Sequence, residues 1–227
     1  MKLVVFDVDG TLVDSQDIIV AAQRQAFAAC NLPAPSRARS LSIVGLSLAE
    51  AFTALVGADG PVEALAEAYK GAFAGLRADP TWQEPLFPGA EALIGRLARR
   101  DDVVLGIATG KSRRGVDHLV SRYGWEGVFA TIQTADDAPS KPDPTMLRQA
   151  LAETGNSAAD AIMVGDTSFD MGMAKAAGLR AVGVSWGYHP VAALREAGAD
   201  IVIDSLGEVE RMLRPVRADQ EAGAALV

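Results

Sequence analysis

The sequence predicts an α/β protein, in which a doubly wound parallel sheet carries a small all-helical domain inserted near its start. Three observations lead to this prediction. Apolar, β-branched runs alternate with helical segments over the second half of the chain. About 65 residues after the first strand have helical composition and contain no convincing strand. Polar side chains follow several strands at the end where an open parallel sheet forms its ligand crevice.

The length and composition are those of a globular protein with a full core. Of the 227 residues, 49% are hydrophobic and 22% are charged. A formal net charge of −8 argues against broad binding to nucleic-acid phosphates, although a small anionic ligand stays possible. Cys30 is the single cysteine, and no apolar run approaches the roughly 20 residues of a membrane span. We therefore expect a cytoplasmic protein without a nucleic-acid or membrane partner.

The first strand is predicted within residues 3–11 and ends in two carboxylates. An apolar run with β-branched members is followed by Asp7 and Asp9, and then by Gly10 and Thr11. A charge at the end of a buried strand needs a reason. In an open parallel sheet, the carboxyl ends of the strands line the ligand crevice, so both carboxylates are expected there.

Helical segments fill the next part of the chain. Composition predicts helices over residues 21–29, 47–55 and 62–76. Ser47 and Glu50 have the spacing of a capping box at the start of the second helix. We therefore expect a helical domain over residues 15–81, inserted into a discontinuous core of residues 1–14 and 82–227.

A proline-rich segment over residues 79–89 leads back to the core, and strands and helices alternate from there. Helices are predicted over residues 90–100, 115–123, 144–153 and 169–177. Strands are predicted over residues 103–108, 128–133, 161–164, 181–184 and 201–203. The polar, Ala-rich tail after Pro215 is expected to be poorly ordered.

Polar groups also stand at three later positions on the crevice side. Thr109 and Gly110 end a strand with a hydroxyl and with an amide that an anion can approach closely. Lys141 lies in a loop stiffened by prolines, just before a helix, where its ammonium can neutralise phosphoryl charge. Asp166 and Asp170 follow another buried strand, four residues apart. If a helix begins near residue 168, both carboxylates face the same crevice.

Each of these residues has an ordinary structural interpretation when it is taken alone. Either of the later aspartates could cap a helix, and a single lysine is most often a solvated charge. Lys111, Arg113 and Arg114 are interpreted as the surface of a helix start. Joint placement decides against the ordinary interpretation of the others, because three or four carboxylates, a hydroxyl and a lysine meet at one edge. A hard cation with oxygen ligands together with a phosphate accounts for this set.

These residues resemble the four motifs of the haloacid dehalogenase-like hydrolases, and in particular of phosphatases similar to phosphoglycolate phosphatase. In chain order they are residues 7–11, Thr109, Lys141, and Asp166 with Asp170. The resemblance covers nearly the whole chain. It implies a Rossmann-like core, and it implies that the helical insert is the cap domain of the branch that contains phosphoglycolate phosphatase and β-phosphoglucomutase.

The resemblance also implies catalytic roles. Asp7 attacks the phosphorus and forms an aspartyl-phosphate, while Asp9 protonates the leaving alcohol and then activates water. Mg²⁺ is held by the side chains of Asp7 and Asp166 and by the backbone carbonyl of Asp9. Asp170 binds the ion directly or through a water molecule. Lys141 takes part in catalysis through its charge, and Thr109 takes part through its hydroxyl.

The phosphate is implied to lie among the residues of the second and third motifs, together with the general acid. These binding residues are Asp9, Thr109, Gly110 and Lys141. The expected reaction is the Mg²⁺-dependent hydrolysis of a small phosphomonoester, similar to phosphoglycolate. The protein is expected to act as a monomer or a homodimer.

Several alternatives stay open. A phosphomutase of the β-phosphoglucomutase type uses the same nucleophile, and a non-catalytic phosphate-sensing module carries a similar acidic pocket. The acid at position 9 favours an alkoxide leaving group over a halide. Phosphonoacetaldehyde hydrolases use a cap lysine, and the insert offers only Lys70, which shows no sign of activation. Arg37, Arg39 and residues 43–48 are the candidates for substrate selection, although both arginines could equally be solvated.

Overall fold

The protein is built on one parallel sheet, seen in a computed structural model that describes residues 1–213. The strands are β1 (Lys2–Phe6), β2 (Val103–Ala108), β3 (Thr131–Gln133), β4 (Ala161–Gly165), β5 (Arg180–Val184) and β6 (Ile201–Ile203). They lie in the order β3-β2-β1-β4-β5-β6, and every neighbouring pair is parallel. The predicted doubly wound parallel sheet is confirmed.

β1 lies in the middle of the sheet because both of its faces are apolar. Val4 and Phe6 pack into one core cluster, and Leu3 and Val5 pack into the cluster on the opposite face. Phe6 is in register with Ile107 of β2 and Val164 of β4. The carboxyl ends of these three strands are therefore level, and the residues that follow them share one edge.

Four helices lie between β1 and the return to the core: α1 (Gln16–Ala29), α2 (Arg37–Leu41), α3 (Leu48–Val56) and α4 (Val62–Ala78). Three of them match predicted helices, and α2 was not predicted. Ser36 caps α2 by accepting a hydrogen bond from the Arg39 amide. Phe27, Phe52 and Leu65 form a separate apolar cluster among these helices.

The predicted capping box of α3 is wrong in its contacts. Ser47 is the N-cap residue, but its hydroxyl contacts the Glu50 carboxylate and makes no bond to the helix backbone.

The chain leaves and re-enters the core through adjacent segments. The Asp14 amide donates to the Pro85 carbonyl at 2.8 Å, and the Phe87 amide donates to the Leu12 carbonyl at 2.9 Å.

The remaining helices are α5 (Ala90–Leu97), α6 (Arg113–Arg122), α7 (Thr145–Thr154), α8 (Ser168–Ala177), α9 (Val191–Glu196) and α10 (Gly207–Met212). The sequence did not predict α9 or α10. β3 is shorter than predicted because a turn precedes it, in which the Val128 amide donates to the Trp125 carbonyl at 3.1 Å, and Phe129 packs edge-on against Trp125. The predicted poorly ordered tail lies outside the described residues. Within residues 1–213, no helix has the combination of length and apolarity that crossing a bilayer requires.

Candidate active site

Three aspartates meet at the carboxyl edge of the sheet. Asp7 follows β1, Asp166 follows β4 and Asp170 lies in the first turn of α8. All three are buried, and one carboxylate oxygen from each lies within 4.8 Å of the others. The structure therefore brings together these three predicted metal ligands.

Glycines allow the carboxylates to approach so closely. Gly10 has a φ of 87°, and a Cβ atom on it would overlap the Asp166 carboxylate. A Cβ on Gly187 would collide with the same side chain, and one on Gly165 would collide with Asp170. Asp166 is then held in this space by hydrogen bonds from the Thr11 hydroxyl at 2.9 Å and the Tyr188 amide at 2.8 Å.

Lys141 brings one positive charge into the cluster. Its Nζ donates to Asp170 Oδ1 at 2.6 Å and lies 2.9 Å from Asp7 Oδ1. The second contact is close enough for an ion pair but lacks hydrogen-bond geometry, so both oxygens of Asp7 are buried without a hydrogen-bond partner within residues 1–213. Three carboxylates thus face one ammonium.

The imbalance appears in the pKa values. Burial is the main cause that raises the pKa of Asp7 to about 7, with Lys141 opposing the shift and Asp170 adding to it. Burial and then the charges of Asp7 and Asp170 raise the pKa of Asp166 well above its usual range. Burial disfavours the charged form of Lys141, but Asp170 and Asp7 outweigh it and raise its pKa. The site is arranged for more positive charge than Lys141 supplies.

Asp170 serves the helix as well as the cluster. Thr167 is the N-cap of α8, and its hydroxyl accepts a hydrogen bond from the Asp170 amide at 3.2 Å. Asp170 Oδ2 accepts from the Thr167 amide at 3.0 Å and from its hydroxyl at 2.7 Å. The structural and functional interpretations of Asp170 therefore both apply, because Oδ1 faces Lys141 while Oδ2 closes the capping box.

Asp9 lies beside the cluster and is held by other partners. Lys111 Nζ donates to its two oxygens at 2.8 and 3.0 Å, and the Ser15 hydroxyl donates to Oδ1 at 2.6 Å. The Tyr188 hydroxyl accepts from the Ser15 amide at 3.0 Å. The two carboxylates at the end of β1 thus have different surroundings, which is the condition for different chemical roles.

The prediction that Lys111 belongs to the surface of a helix start is wrong. Its side chain is only 8% exposed, and its Nζ also lies 3.4 Å from Glu84. Glu84 is bound by Arg77 at 2.9 and 3.2 Å. A chain of alternating charges therefore runs from Asp9 through Lys111 and Glu84 to Arg77 on α4. The neighbouring Arg113 does pair with Asp137 at the surface.

Thr109 and Gly110 follow β2 on the same edge. Thr109 is buried, its amide donates to Gln133 at 3.0 Å, and its hydroxyl accepts from the Lys111 amide at 3.2 Å. A Cβ on Gly110 would lie 2.5 Å from the Gly45 carbonyl oxygen. The predicted segment 43–48 therefore rests directly on the second motif.

A cavity of about 650 Å³ opens between the sheet edge and the helical segment. Asp7, Asp9, Thr109 and Gly110 line it on one side, and residues 43–48 line it on the other. Lys141, Asp166 and Asp170 lie buried behind this surface. The structure thus collects all seven predicted site residues at one end of the sheet.

The two arginines considered for substrate selection lie elsewhere. Arg37 pairs with Asp17, and Arg39 donates to the Ala54 carbonyl; both are exposed, and neither lines the cavity. Their short helix α2 turns them toward the outside of the helical segment. Lys70 does reach the cavity wall, but it is 60% exposed and pairs with Glu67, unlike the desolvated amine that Schiff-base chemistry uses.

Sequence reasoning missed His189, which joins the core to the helical segment. Its Nδ1 accepts from the Ser168 amide at 3.1 Å, and its Nε2 lies 3.2 Å from the Ser42 carbonyl. Burial lowers the pKa of His189, and these two partners suit the neutral ring that carries its proton on Nε2. No sequence pattern marks this residue, nor Glu84 or Tyr188.

Comparison with known proteins agrees with this geometry. Residues 4–184 match the family of haloacid dehalogenase-like hydrolases. The chain belongs to this family. It is 37% identical over 220 residues to a phosphoglycolate phosphatase of Rhodospirillum rubrum, a match that covers 91% of this chain and 90% of that protein.

Two further relatives extend the comparison. The chain is 35% identical over 213 residues to "Probable phosphatase IndB" of Dickeya dadantii, with 91% of each protein covered. Among solved structures, CbbY from Rhodobacter sphaeroides in complex with phosphate matches with a TM-score of 0.73 and 28% identity, over 92% of this chain and 96% of that one. This haloacid dehalogenase-like hydrolase therefore has relatives that are named as phosphatases.

Proposed function

We propose that the protein is a Mg²⁺-dependent phosphatase that hydrolyses a phosphomonoester through an aspartyl-phosphate. The observation that carries the proposal is Asp7. Both of its oxygens are buried, beside Lys141 and at the wall of the cavity, and neither has a hydrogen-bond partner among the described residues. The family match and the phosphatases among the relatives support a phosphoric monoester hydrolase.

In the first step, an Asp7 oxygen attacks the phosphorus and the bond from phosphorus to the leaving oxygen breaks. Asp9 gives its proton to that oxygen, so the alcohol departs neutral. Thr109 and the Gly110 amide bind the phosphoryl oxygens from the end of β2, and Lys141 offsets their negative charge. One Asp9 oxygen must therefore turn to the leaving group while Lys111 holds the other.

In the second step, Asp9 takes a proton from water. The water oxygen attacks the phosphorus, the bond from phosphorus to Asp7 breaks, and inorganic phosphate leaves. Atoms and protons balance over the cycle, because the proton given to the alcohol is regained from water. Asp9 thus alternates between acid and base while Asp7 alternates between nucleophile and leaving group.

The donor set fits a hard divalent cation. Asp7 and Asp166, with Asp170 behind them, provide carboxylate oxygens whose negative charge exceeds that of the single ammonium nearby. Together with the Asp9 carbonyl, these residues would hold Mg²⁺. When bound, the ion supplies positive charge that lets an anionic nucleophile meet an anionic phosphate.

The helical segment over residues 15–81 acts in this proposal as a cap domain. Residues 43–48 lie over the second motif, and the charges of Arg77 and Glu84 join α4 to Lys111. Within the described residues, the core in this proposal consists of residues 1–14 and 82–213. Closure of the cap excludes water while the aspartyl-phosphate forms.

Release of phosphate from a panel of phosphometabolites, which includes phosphoglycolate and hexose phosphates, tests the proposal. We expect turnover with Mg²⁺ and none with EDTA, and recovery when Mg²⁺ is restored. Acid quenching during turnover should trap a phosphorylated protein, which mass spectrometry locates at Asp7. Turnover without metal would contradict the proposed site. Isomerisation of hexose phosphates faster than phosphate release would instead identify a mutase.

A further inference from the structure

We propose that the leaving group of the substrate is a neutral alcohol with an apolar or aromatic body and one hydrogen-bond donor, and that it is not a small carboxylate such as glycolate. The inference rests on the proposed phosphatase function and names its substrate class. Three features of the cavity carry it: its size and apolar wall, the pairing of its cations, and one unpaired acceptor.

The cavity is larger and more apolar than a two-carbon leaving group requires. Its volume of about 650 Å³ lies within the range of roughly 300–1,000 Å³ that suits drug-sized ligands. Opposite the carboxylates, the wall is made by side chains of the helical segment, among them Ile43, Val44, Leu46, Phe52, Tyr69 and Phe73. The Tyr69 side chain is neutral at pH 7, as an ordinary tyrosine is, and burial raises its pKa further. Binding of an apolar group against this wall is favourable because it removes apolar surface of both the wall and the ligand from water.

The buried cations of the cavity wall already have partners. Lys111 binds Asp9 and Glu84, and Arg77 binds Glu84, whose side chain is 2% exposed. Within residues 1–213, the other cations on the wall are Lys70 and Arg114, which are not buried. A carboxylate on the leaving group would therefore meet two buried carboxylates and no uncommitted buried cation.

Gln23 marks where a polar group of the ligand binds. It is 2% exposed and lines the cavity, and its Nε2 donates to the Ser40 carbonyl at 3.3 Å. That bond fixes the orientation of the amide, and Oε1 is then buried without a hydrogen-bond partner in the described part of the chain. An unpaired buried acceptor is unfavourable, and a ligand O–H or N–H group would satisfy it once the side chain turns Oε1 toward the cavity.

Three alkyl phosphates with unactivated alcohols separate the possibilities: benzyl phosphate, ethyl phosphate and 2-phosphoglycolate. We expect kcat/KM for benzyl phosphate to exceed the values for both other compounds by at least about tenfold. Equal or faster turnover of phosphoglycolate would overturn the inference and leave the phosphatase function intact. Absence of phosphate release from all three and from the wider metabolite panel would count against the phosphatase function itself.

Substitutions in the cavity wall test whether the leaving group contacts its apolar side chains. Phe73→Leu should lower the ratio of benzyl to ethyl phosphate turnover, whereas Leu32→Ala, in the helical segment but away from the cavity, should leave this ratio unchanged. An unchanged ratio in a folded Phe73→Leu protein would contradict the proposed contact.

Gln23→Leu tests the acceptor. In the parent protein, we expect 3- or 4-hydroxybenzyl phosphate to have a higher kcat/KM than benzyl phosphate. In the variant, the ratio of kcat/KM for the hydroxylated compound to kcat/KM for benzyl phosphate should fall to about one. If neither hydroxylated compound is preferred, or if the preference survives in the variant, then Gln23 does not bind the leaving group.

Discussion

Asp7 combines two properties that are costly together in a protein interior. It is fully enclosed, and neither oxygen has a hydrogen-bond partner among residues 1–213. Asp166 and Asp170, at the same edge, add negative charge that Lys141 only partly offsets. A carboxylate in this position weakens the metal-free fold, and the proposed function gives it a role, that of the nucleophile.

Asp7→Asn is expected to reduce phosphate release by at least about a thousandfold, because an amide does not replace a carboxylate nucleophile. The same variant should melt at a higher temperature than the parent protein in EDTA, since the neutral amide relieves repulsion from Asp166 and Asp170. Phosphate release and thermal unfolding in EDTA measure the two effects.

Asp17→Asn is the matched control. Asp17 is 74% exposed and pairs with Arg37, and an exposed pair of this kind contributes about 1 kcal/mol or less. The activity and the melting temperature of the Asp17→Asn variant should equal those of the parent protein. Retained activity in Asp7→Asn would remove Asp7 from the role of nucleophile.

Lys111→Met tests the residue that holds Asp9. We expect kcat to fall by about 10- to 100-fold, because Asp9 loses the contact that positions it. The free energy of unfolding should fall by about 1.5–3 kcal/mol, because Glu84 keeps Arg77 but loses its second cation. Urea unfolding and steady-state kinetics measure these changes.

Adding Glu84→Gln to Lys111→Met separates the two effects. The double variant removes the excess buried charge, so it should recover stability without recovering kcat. Recovery of both would mean that Lys111 only balances charge and does not position Asp9.

At the scale of elements, α8 links its own capping to the aspartate cluster. Thr167→Ala removes the N-cap hydroxyl and its bond to Asp170, which should cost about 1 kcal/mol of stability. We also expect Mg²⁺ to bind at least about tenfold more weakly, because Asp170 loses a group that orients it. Urea unfolding and calorimetric titration with Mg²⁺ measure the two quantities.

Ser112→Ala provides the comparison for that prediction. Ser112 caps α6 by accepting from the Gly115 amide at 3.3 Å, and it makes no contact with the aspartate cluster. It should lose similar stability and keep its Mg²⁺ affinity. An equal loss of affinity in both variants would show that capping in general, and not the Asp170 contact, controls metal binding.

At the scale of the whole molecule, the cluster couples stability to pH. Unfolding lowers the pKa of Asp7 from about 7 to an ordinary value near 3.9, and Asp166 shifts in the same direction. Between these values the folded protein binds more protons than the unfolded chain. The contribution of the cluster to stability therefore falls as pH rises toward 7.

Mg²⁺ should consequently raise the melting temperature more at about pH 8 than at about pH 5.5, because the carboxylates must lose their protons to bind it. Thermal unfolding with EDTA and with Mg²⁺ at both pH values measures the difference. In the Asp7→Asn variant, the rise in melting temperature that Mg²⁺ causes should depend less on pH than it does in the parent protein. An equal gain at both pH values in the parent protein would contradict the proposed coupling.

The sequence alone determined the parallel sheet, three of the four helices of the insert, and the positions of Asp7, Asp9, Thr109, Lys141, Asp166 and Asp170 at one edge. The reason is local. Strand and helix patterns show where each strand ends, and the carboxyl ends of parallel strands must meet. Their joint placement was therefore predictable, although the strand order and the short helices α2, α9 and α10 were not.

The pairing of charges, and the question of which charges face the cavity, depend on tertiary packing. Lys111 and Arg37 are both cations near helix starts in the sequence, yet one is buried against Asp9 and the other is exposed. Glu84 is the centre of an ion network because Arg77 of α4 and Lys111, in the segment after β2, both reach it. Partners far apart in sequence carry no local signal, so the contacts that position Asp9 and shape the cavity follow from packing alone.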